Sequence, residues 1–159
     1  MLESLNALRG LAAIGVVVFH LKGAFVPVAT PGGYLAVDLF FVMSGVVLSH
    51  AYDSRFRAGM GLVEFMRVRL VRLYPLYLLG LACGVVVTLA SMVGRNTAGW
   101  DARSLGLALL PALFILPDFG AAPGHDLFPL NIPSWSLFLE LLVNVVFAAT
   151  WRVLTMRRL

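Results

Sequence analysis

The sequence predicts an all-α protein, a polytopic bundle of transmembrane helices, and three observations support this prediction. Of the 159 residues, 60% are hydrophobic and only 13% are charged, whereas a soluble domain is about half apolar and about a quarter charged. The mean hydropathy is +0.92. The apolar residues also come in long blocks, whereas a soluble core would show short periodic stripes.

Five hydrophobic segments are predicted as helices, at about residues 5–25, 34–50, 73–93, 105–117 and 134–154. Segment one is expected to be retained rather than cleaved as a signal peptide, because Glu3 precedes its apolar centre and His20 ends it. Segment four has about a dozen apolar residues and holds Pro111. Stretches of that length are often re-entrant or interfacial, so segment four is expected to enter the membrane without crossing it.

The formal net charge of +4 lies in short clusters beside apolar blocks, a pattern that sets topology and contacts anionic headgroups. No nucleic-acid recognition module is visible, so nucleic acid is not an expected partner. Five arginines lie between segments two and three, which predicts that this connection and the N-terminus are cytoplasmic in a multi-pass protein of the inner (plasma) membrane. Cys83 is the only cysteine, and no Cys/His cluster has metal-ligand spacing, so neither a disulfide nor a metal site is predicted.

Polar residues in segments one and two are candidates for function. Arg9 and His20 are eleven residues apart, so on a helix they share a face about 16 Å apart along the axis. They are either a functional pair or two interfacial anchors. Asp38 and Gly45 also share a face. Gly45 would let a neighbouring helix approach, and Asp38 either pairs with a cation or a donor in the bundle or is a structural aspartate near the membrane surface.

The basic stretch before segment three has two readings. Arg69 and Arg72 are spaced i, i+3 on one side of the helix, and Arg67 lies on another side. Paired guanidinium groups suit phosphates such as those of acetyl-CoA. The alternative is an anchor that follows the positive-inside pattern. Pro75 would then start or kink segment three.

Segment five carries a polar stripe, because Ser136, Glu140 and Asn144 fall at i, i+4 and i+8. An intramembrane glutamate is by default a functional hypothesis. Glu140 could orient or charge-balance a histidine or hold an acceptor hydroxyl. Its alternative is an interhelical hydrogen bond to Arg9 or to a partner helix.

Taken in order along the chain, these residues resemble acyltransferase family 3. The resemblance rests on four motifs: Leu5 to Gly10 with the Arg9 and His20 pair; Gly33 to Gly45; Phe65, Arg69, Arg72 and Pro75; and Pro133-x-Trp135-Ser136-Leu137-x-x-Glu140. The family's Arg-Arg-x-x-Arg motif would fall at Val68, Arg69 and Arg72. Its first arginine is therefore absent here, and Arg67 stands one residue early.

The resemblance implies a membrane-embedded enzyme that moves an acyl group, often acetyl, from a cytoplasmic acyl-CoA donor to an extracytoplasmic sugar or lipid-linked acceptor. It implies no tightly bound cofactor. His20 would be the essential residue and Arg9 its companion, with Glu140 or Asp38 orienting His20 or balancing its charge. The donor phosphates would bind Arg67, Arg69 and Arg72, and the supporting residues would be Asp38, Ser44, Trp135 and Ser136.

Family domains are longer, so the chain resembles their N-terminal part and is expected to need further C-terminal helices or a second copy as partner. The alternative is a truncated, non-catalytic membrane protein or a transport or partner subunit. If segment four is re-entrant, three sites are expected on the external side: the loop that holds Gly124, the residue His20, and the turn from Ser136 to Glu140.

Overall fold

The computed structural model describes residues 2–20, 35–94 and 99–156. Within them, the side chains of residues 2–6, 9, 19, 20, 152 and 154–156 lie outside that description. Regular structure in the described ranges is helical, in five helices: α1 (Leu2–His20), α2 (Leu35–Arg57), α3 (Leu62–Val93), α4 (Ala102–Leu113) and α5 (Ser134–Met156). Of these, α2, α3 and α5 are long and apolar enough to cross a membrane. The predicted helical membrane bundle is confirmed at this level.

The chain forms two compact units, Met1–Met60 and Gly61–Leu159. In the first unit α1 packs against α2, and a Cβ added at Gly15 would lie 3.3 Å from the Cβ of Ala36. The close approach is therefore at Gly15. Gly45, which was predicted to allow it, has nothing within 4 Å of its added Cβ, because the helix face that carries it is exposed.

Helix α2 continues past the predicted end at residue 50 to Arg57. The exposed side chain of Asp53 accepts a 3.0 Å hydrogen bond from Arg57 at spacing i, i+4. Arg55 and Arg57 in the last turn also interact favourably with the negative C-terminal end of the helix dipole. The helix then stops in a Schellman motif, with Gly59 at φ 101° and the Met60 N–H donating to Arg55 O. Asp53, Arg55 and Arg57, which were expected in the connection between segments two and three, are thus part of α2.

Helix α3 begins at Leu62, eleven residues before the predicted start at about residue 73. Its basic N-terminal half is rich in the helix formers Leu, Glu, Met and Arg, and it packs on α5 with Phe65 fully buried. Pro75 lies inside the helix. The 32 residues make a helix about 48 Å long, which exceeds a hydrocarbon core of about 30 Å.

Helix α4 starts at a capping box between Asp101 and Ser104, whose backbone N–H donates to the Asp101 carboxylate at 2.7 Å. This hydrogen bond holds the pKa of Asp101 below its ordinary value. The helix ends at Leu113, four residues before the predicted end. Ile115 then occupies the left-handed position of a Schellman motif at φ 58°, with the Leu116 N–H donating to Pro111 O. Its buried side chain, 2% exposed, offsets the strain of that conformation.

Contacts along α3 give the path of the chain through the second unit. The Tyr74 hydroxyl donates to Leu113 O at 2.7 Å, and Tyr77 donates to Ala112 O. The end of α4 therefore lies level with Tyr77, about 24 Å along α3 from Val93. After α4 the chain runs back until Pro123 lies beside Gly99. A Cβ added at Gly99 would lie 3.1 Å from the ring of Pro123.

After Pro123 the chain descends along α3 a second time. At Gly84 an added Cβ would lie 1.6 Å from Leu130 O, and at Gly80 it would lie 3.0 Å from the Asn131 side chain. These two glycines let the irregular segment lie directly on the helix. Helix α5 begins after Asn131 and continues antiparallel to α3, which brings its polar stripe to the basic half of α3.

Candidate active site

A buried ion pair joins α3 and α5. The Arg69 guanidinium donates through Nη2 to Glu140 Oε1, and the two side chains are 8% and 13% exposed. One turn earlier on α3, the ring of Phe65 packs on Phe147 with 6.3 Å between the ring centroids. These two contacts define an antiparallel ladder in which the charged contact lies beside an aromatic one.

The pairing of these two side chains explains why both charges are tolerated in apolar helices. An isolated charge in such surroundings is costly, and a partner with good geometry offsets the loss of solvation. Asn144, one turn after Glu140, is also buried at 2% exposure. The predicted polar stripe on α5 thus faces α3 at Glu140 and Asn144.

The pairing itself was not predicted. Sequence reasoning assigned Arg69 to donor phosphates and considered Arg9 or an unspecified helix as the partner of Glu140. A usable signal existed, since opposite charges in two apolar helices are each other's most favourable partners. The contact places Glu140 beside the basic stretch of α3.

The other two arginines of the predicted donor cluster, Arg67 and Arg72, are exposed. They are five residues apart, so they point about 140° apart around the helix. Arg69 is engaged by Glu140, so the structure does not bring the three guanidinium groups together on one surface. Arg72 lies about 60° from Arg69 around α3 and can present a charge beside the ion pair.

The remaining predicted residues have separate surroundings. Trp135 is 40% exposed, and the Ser136 hydroxyl donates to Pro133 O at 2.8 Å in the first turn of α5. In the first unit Asp38 is exposed and Ser44 is buried, and the Ser44 hydroxyl has no hydrogen-bond partner among the described residues. Arg9 and His20 belong to α1, but their side chains lie outside the described residues.

A second polar cluster follows α4 and was missed by sequence reasoning. Asp118, 7% exposed, accepts hydrogen bonds from the N–H groups of Ala121 and Ala122 at 3.0 and 2.7 Å, and its own N–H donates to Leu127 O at 2.7 Å. Beside it is a cavity of about 10 Å³, about the space of one water. Asp118 therefore organises the irregular segment, and the cavity is too small for an acyl donor.

Chemically, the pair offers a carboxylate with one oxygen on a guanidinium and further acceptor capacity for a hydroxyl or an imidazole N–H. In the described ranges, no three side chains of His, Cys, Asp and Glu lie close enough to share a metal ion.

A family model for an acyltransferase domain matches residues 2–159. The chain belongs to acyltransferase family 3. The four ordered motifs therefore identified the family correctly from sequence.

Three relatives show how far the similarity of this family 3 chain extends. It is 37% identical over 163 residues to "Protein 2 in picA locus" of Rhizobium radiobacter, covering 97% of the chain and 84% of that protein. It is 30% identical over 164 residues to "Acyltransferase MdmB" of Streptomyces mycarofaciens, covering 96% and 40%. It is 37% identical over 76 residues to "O-acetyltransferase OatA" of Staphylococcus aureus, covering 46% and 12%. No solved structure matches the chain.

Proposed function

We propose that the protein transfers an acyl group, with acetyl as the expected group, from an acyl-CoA donor to a hydroxyl of an extracytoplasmic carbohydrate or lipid-linked acceptor. The observation that carries this proposal is the buried pair of Arg69 and Glu140, two motif residues that meet across α3 and α5. Membership of family 3 and the name of the Staphylococcus relative, an O-acetyltransferase, support the reaction class.

The donor is held at the basic half of α3. Arg67 and Arg72 are exposed and offer guanidinium groups to the donor phosphates, which they can bind in bidentate geometry. Arg69 has a different role in this proposal, because its charge is already matched by Glu140. It holds the Glu140 carboxylate in place beside the donor.

The transfer step itself is a substitution at the thioester carbonyl. The acceptor oxygen forms a bond to the acyl carbon, the carbon–sulfur bond breaks, and the acceptor proton finally reaches the CoA thiolate. His20 accepts that proton as general base and returns it to sulfur, or it carries the acyl group briefly as a nucleophile. Arg9 accompanies His20 on α1. Glu140 accepts a hydrogen bond from the acceptor hydroxyl.

The proposed location is the inner (plasma) membrane, with the N-terminus in the cytoplasm. Arginine is concentrated at the end of α2 and in the first half of α3, and such clusters mark the cytoplasmic side. The proposed active assembly includes further helices or a second copy of the chain, and the greater length of MdmB, of which the chain covers 40%, supports this part of the proposal.

His20→Ala tests the catalytic assignment in membranes supplied with acetyl-CoA labelled in the acetyl group. We expect loss of transfer at an unchanged membrane level of the protein. His50→Ala is the matched control, because His50 is an exposed histidine of α2 outside the family motifs, and it should transfer normally.

Retained transfer by His20→Ala would remove His20 from the mechanism. A wild-type protein that neither binds acetyl-CoA nor transfers acetyl would instead favour the non-catalytic alternative, a transport or partner subunit.

A further inference from the structure

The side chain of Asn144 is a buried amide whose donor has no acceptor. Asn144 is 2% exposed, and its Nδ2 has no hydrogen-bond partner among the described residues. Native proteins pair the large majority of their buried polar side-chain atoms, so an unpaired one calls for a reason. An apolar side chain of the same size would be expected to pack there more favourably.

The surroundings of Asn144 are set by the ladder between α3 and α5. On one side, three residues further along α5, Phe147 packs on Phe65. On the other side, four residues earlier, Glu140 accepts from Arg69. Asn144 therefore lies between an aromatic contact and a buried charge pair, on the helix face that meets α3.

Glu140 has the acceptor capacity that Asn144 lacks. A carboxylate offers about four acceptor positions on its two oxygens, and Oε1 receives Arg69 Nη2. Side chains at i and i+4 on a helix have Cβ atoms about 5–6 Å apart, and such pairs form hydrogen bonds along the helix. A rotation of the Asn144 side chain would bring its amide to the Glu140 carboxylate.

We propose that Asn144 is a positioning residue whose amide rotates to donate to Glu140. Glu140 is then held by Arg69 across the helix interface and by Asn144 along its own helix. With two donors in place, the carboxylate keeps a defined oxygen lone pair for the acceptor hydroxyl. This inference rests on the proposed function, in which Glu140 contacts the acceptor.

Two substitutions of Asn144 separate a positioning role from a packing role. One keeps the packing and removes the hydrogen-bond donor, and the other weakens the packing and keeps a donor. Asn144→Leu keeps the volume and removes the donor, so the protein should resist denaturant as well as the wild type or better. Its acetyl transfer from labelled acetyl-CoA should fall about 10- to 100-fold, as for a misplaced reacting group. Asn144→Ser leaves a cavity but keeps a hydroxyl donor, so it should be less stable and yet transfer faster than Asn144→Leu.

The KM for acetyl-CoA should stay unchanged in both variants, because the donor phosphates bind at exposed arginines. Normal transfer by Asn144→Leu would overturn the proposal and leave Asn144 as a packing residue. Transfer that follows stability, with the serine variant slower than the leucine variant, would also overturn it.

A stability measurement tests the contact even if no transfer is found in the wild type. Asn144→Leu, Glu140→Gln and the double variant form a thermodynamic cycle, measured by unfolding of the protein purified from membranes. Losses that do not add indicate that the two side chains interact. Strict additivity would overturn the Asn144–Glu140 contact independently of the proposed reaction.

Discussion

Separate removal of each charge of the Arg69–Glu140 pair should destabilise the protein, whereas removal of both should not. Arg69→Met leaves a carboxylate among apolar side chains, and Glu140→Leu leaves a guanidinium there. Breaking a buried pair from one side costs about 3–5 kcal/mol, and a charge placed at the centre of a membrane helix costs about 2.5–3.5 kcal/mol on insertion scales. Because both side chains retain slight exposure, 8% and 13%, we expect about 3 kcal/mol for each single variant.

The double variant Arg69→Met with Glu140→Leu replaces the pair by apolar side chains of similar volume. Such exchanges are often neutral or stabilising, so its stability should lie within about 1 kcal/mol of the wild type. The assay is denaturant unfolding of the protein purified from membranes, followed by far-UV circular dichroism, with acetyl transfer measured on the same samples. A double variant as unstable as either single variant would refute the reasoning from the pair.

The transfer measurement then separates a structural pair from a functional one. If the stable double variant transfers no acetyl, Glu140 takes part in the chemistry beyond holding the helices together. If it transfers normally, the pair is structural and the proposed contact of Glu140 with the acceptor hydroxyl is wrong.

Two further predictions concern the second unit. Gly84→Ala should cost about 3 kcal/mol, near the upper end of overpacking penalties, because the new Cβ would lie 1.6 Å from the backbone oxygen of Leu130. Gly106→Ala, with nothing within 4 Å of its added Cβ, should gain up to about 1 kcal/mol in unfolding experiments, and a similar loss at both sites would contradict the close contact. Because the pKa of Asp101 is lowered in the folded protein, its cap on Ser104 stabilises α4 above the ordinary carboxyl pKa of about 3.9 and is lost as pH falls through the lowered folded value. Hydrogen-exchange protection of the Ser104 amide should therefore fall with pH in the wild type but not in Asp101→Asn, which keeps a capping side chain without the titration.

The membrane helices could be predicted because their signal is local. The composition of an apolar block such as residues 76–93 is enough to predict that it lies in lipid. Helix α5 likewise starts at Ser134, where the sequence predicted it. The start of α3 was placed too late, because the arginines before residue 73 interrupt the apolar block from which the segment was predicted. Phe65 in this stretch is fully buried and packs on Phe147, a contact between residues far apart in sequence.

The site divides along the same line. Glu140 and Arg69 could be recognised as costly charges in apolar surroundings, since that cost depends on each residue alone. Their contact depends on the path between α4 and α5, where Ile115 takes a left-handed conformation and Asp118 ties the irregular segment together. Neither feature has a strong sequence signal. At the left-handed position of a Schellman motif, for example, glycine is the usual residue, whereas here it is Ile115.

The position of the ion pair along α3 bears on how a donor and an acceptor from opposite sides of a membrane could meet. Glu140 is level with Arg69, at the basic end of the helix, and the other end at Val93 lies about 36 Å away along α3, of which the uncharged stretch 76–93 makes about 27 Å. If the donor phosphates bind at Arg67 and Arg72, the thioester approaches Glu140 from the same end. An extracytoplasmic hydroxyl must then travel most of the uncharged stretch, or the acyl group must travel it in the opposite direction. The glycine-lined face of α3, where Leu130 lies on Gly84, is already filled by the protein's own irregular segment. Passage therefore has to occur along another side of α3, which is why further helices or a second copy belong to the proposed assembly.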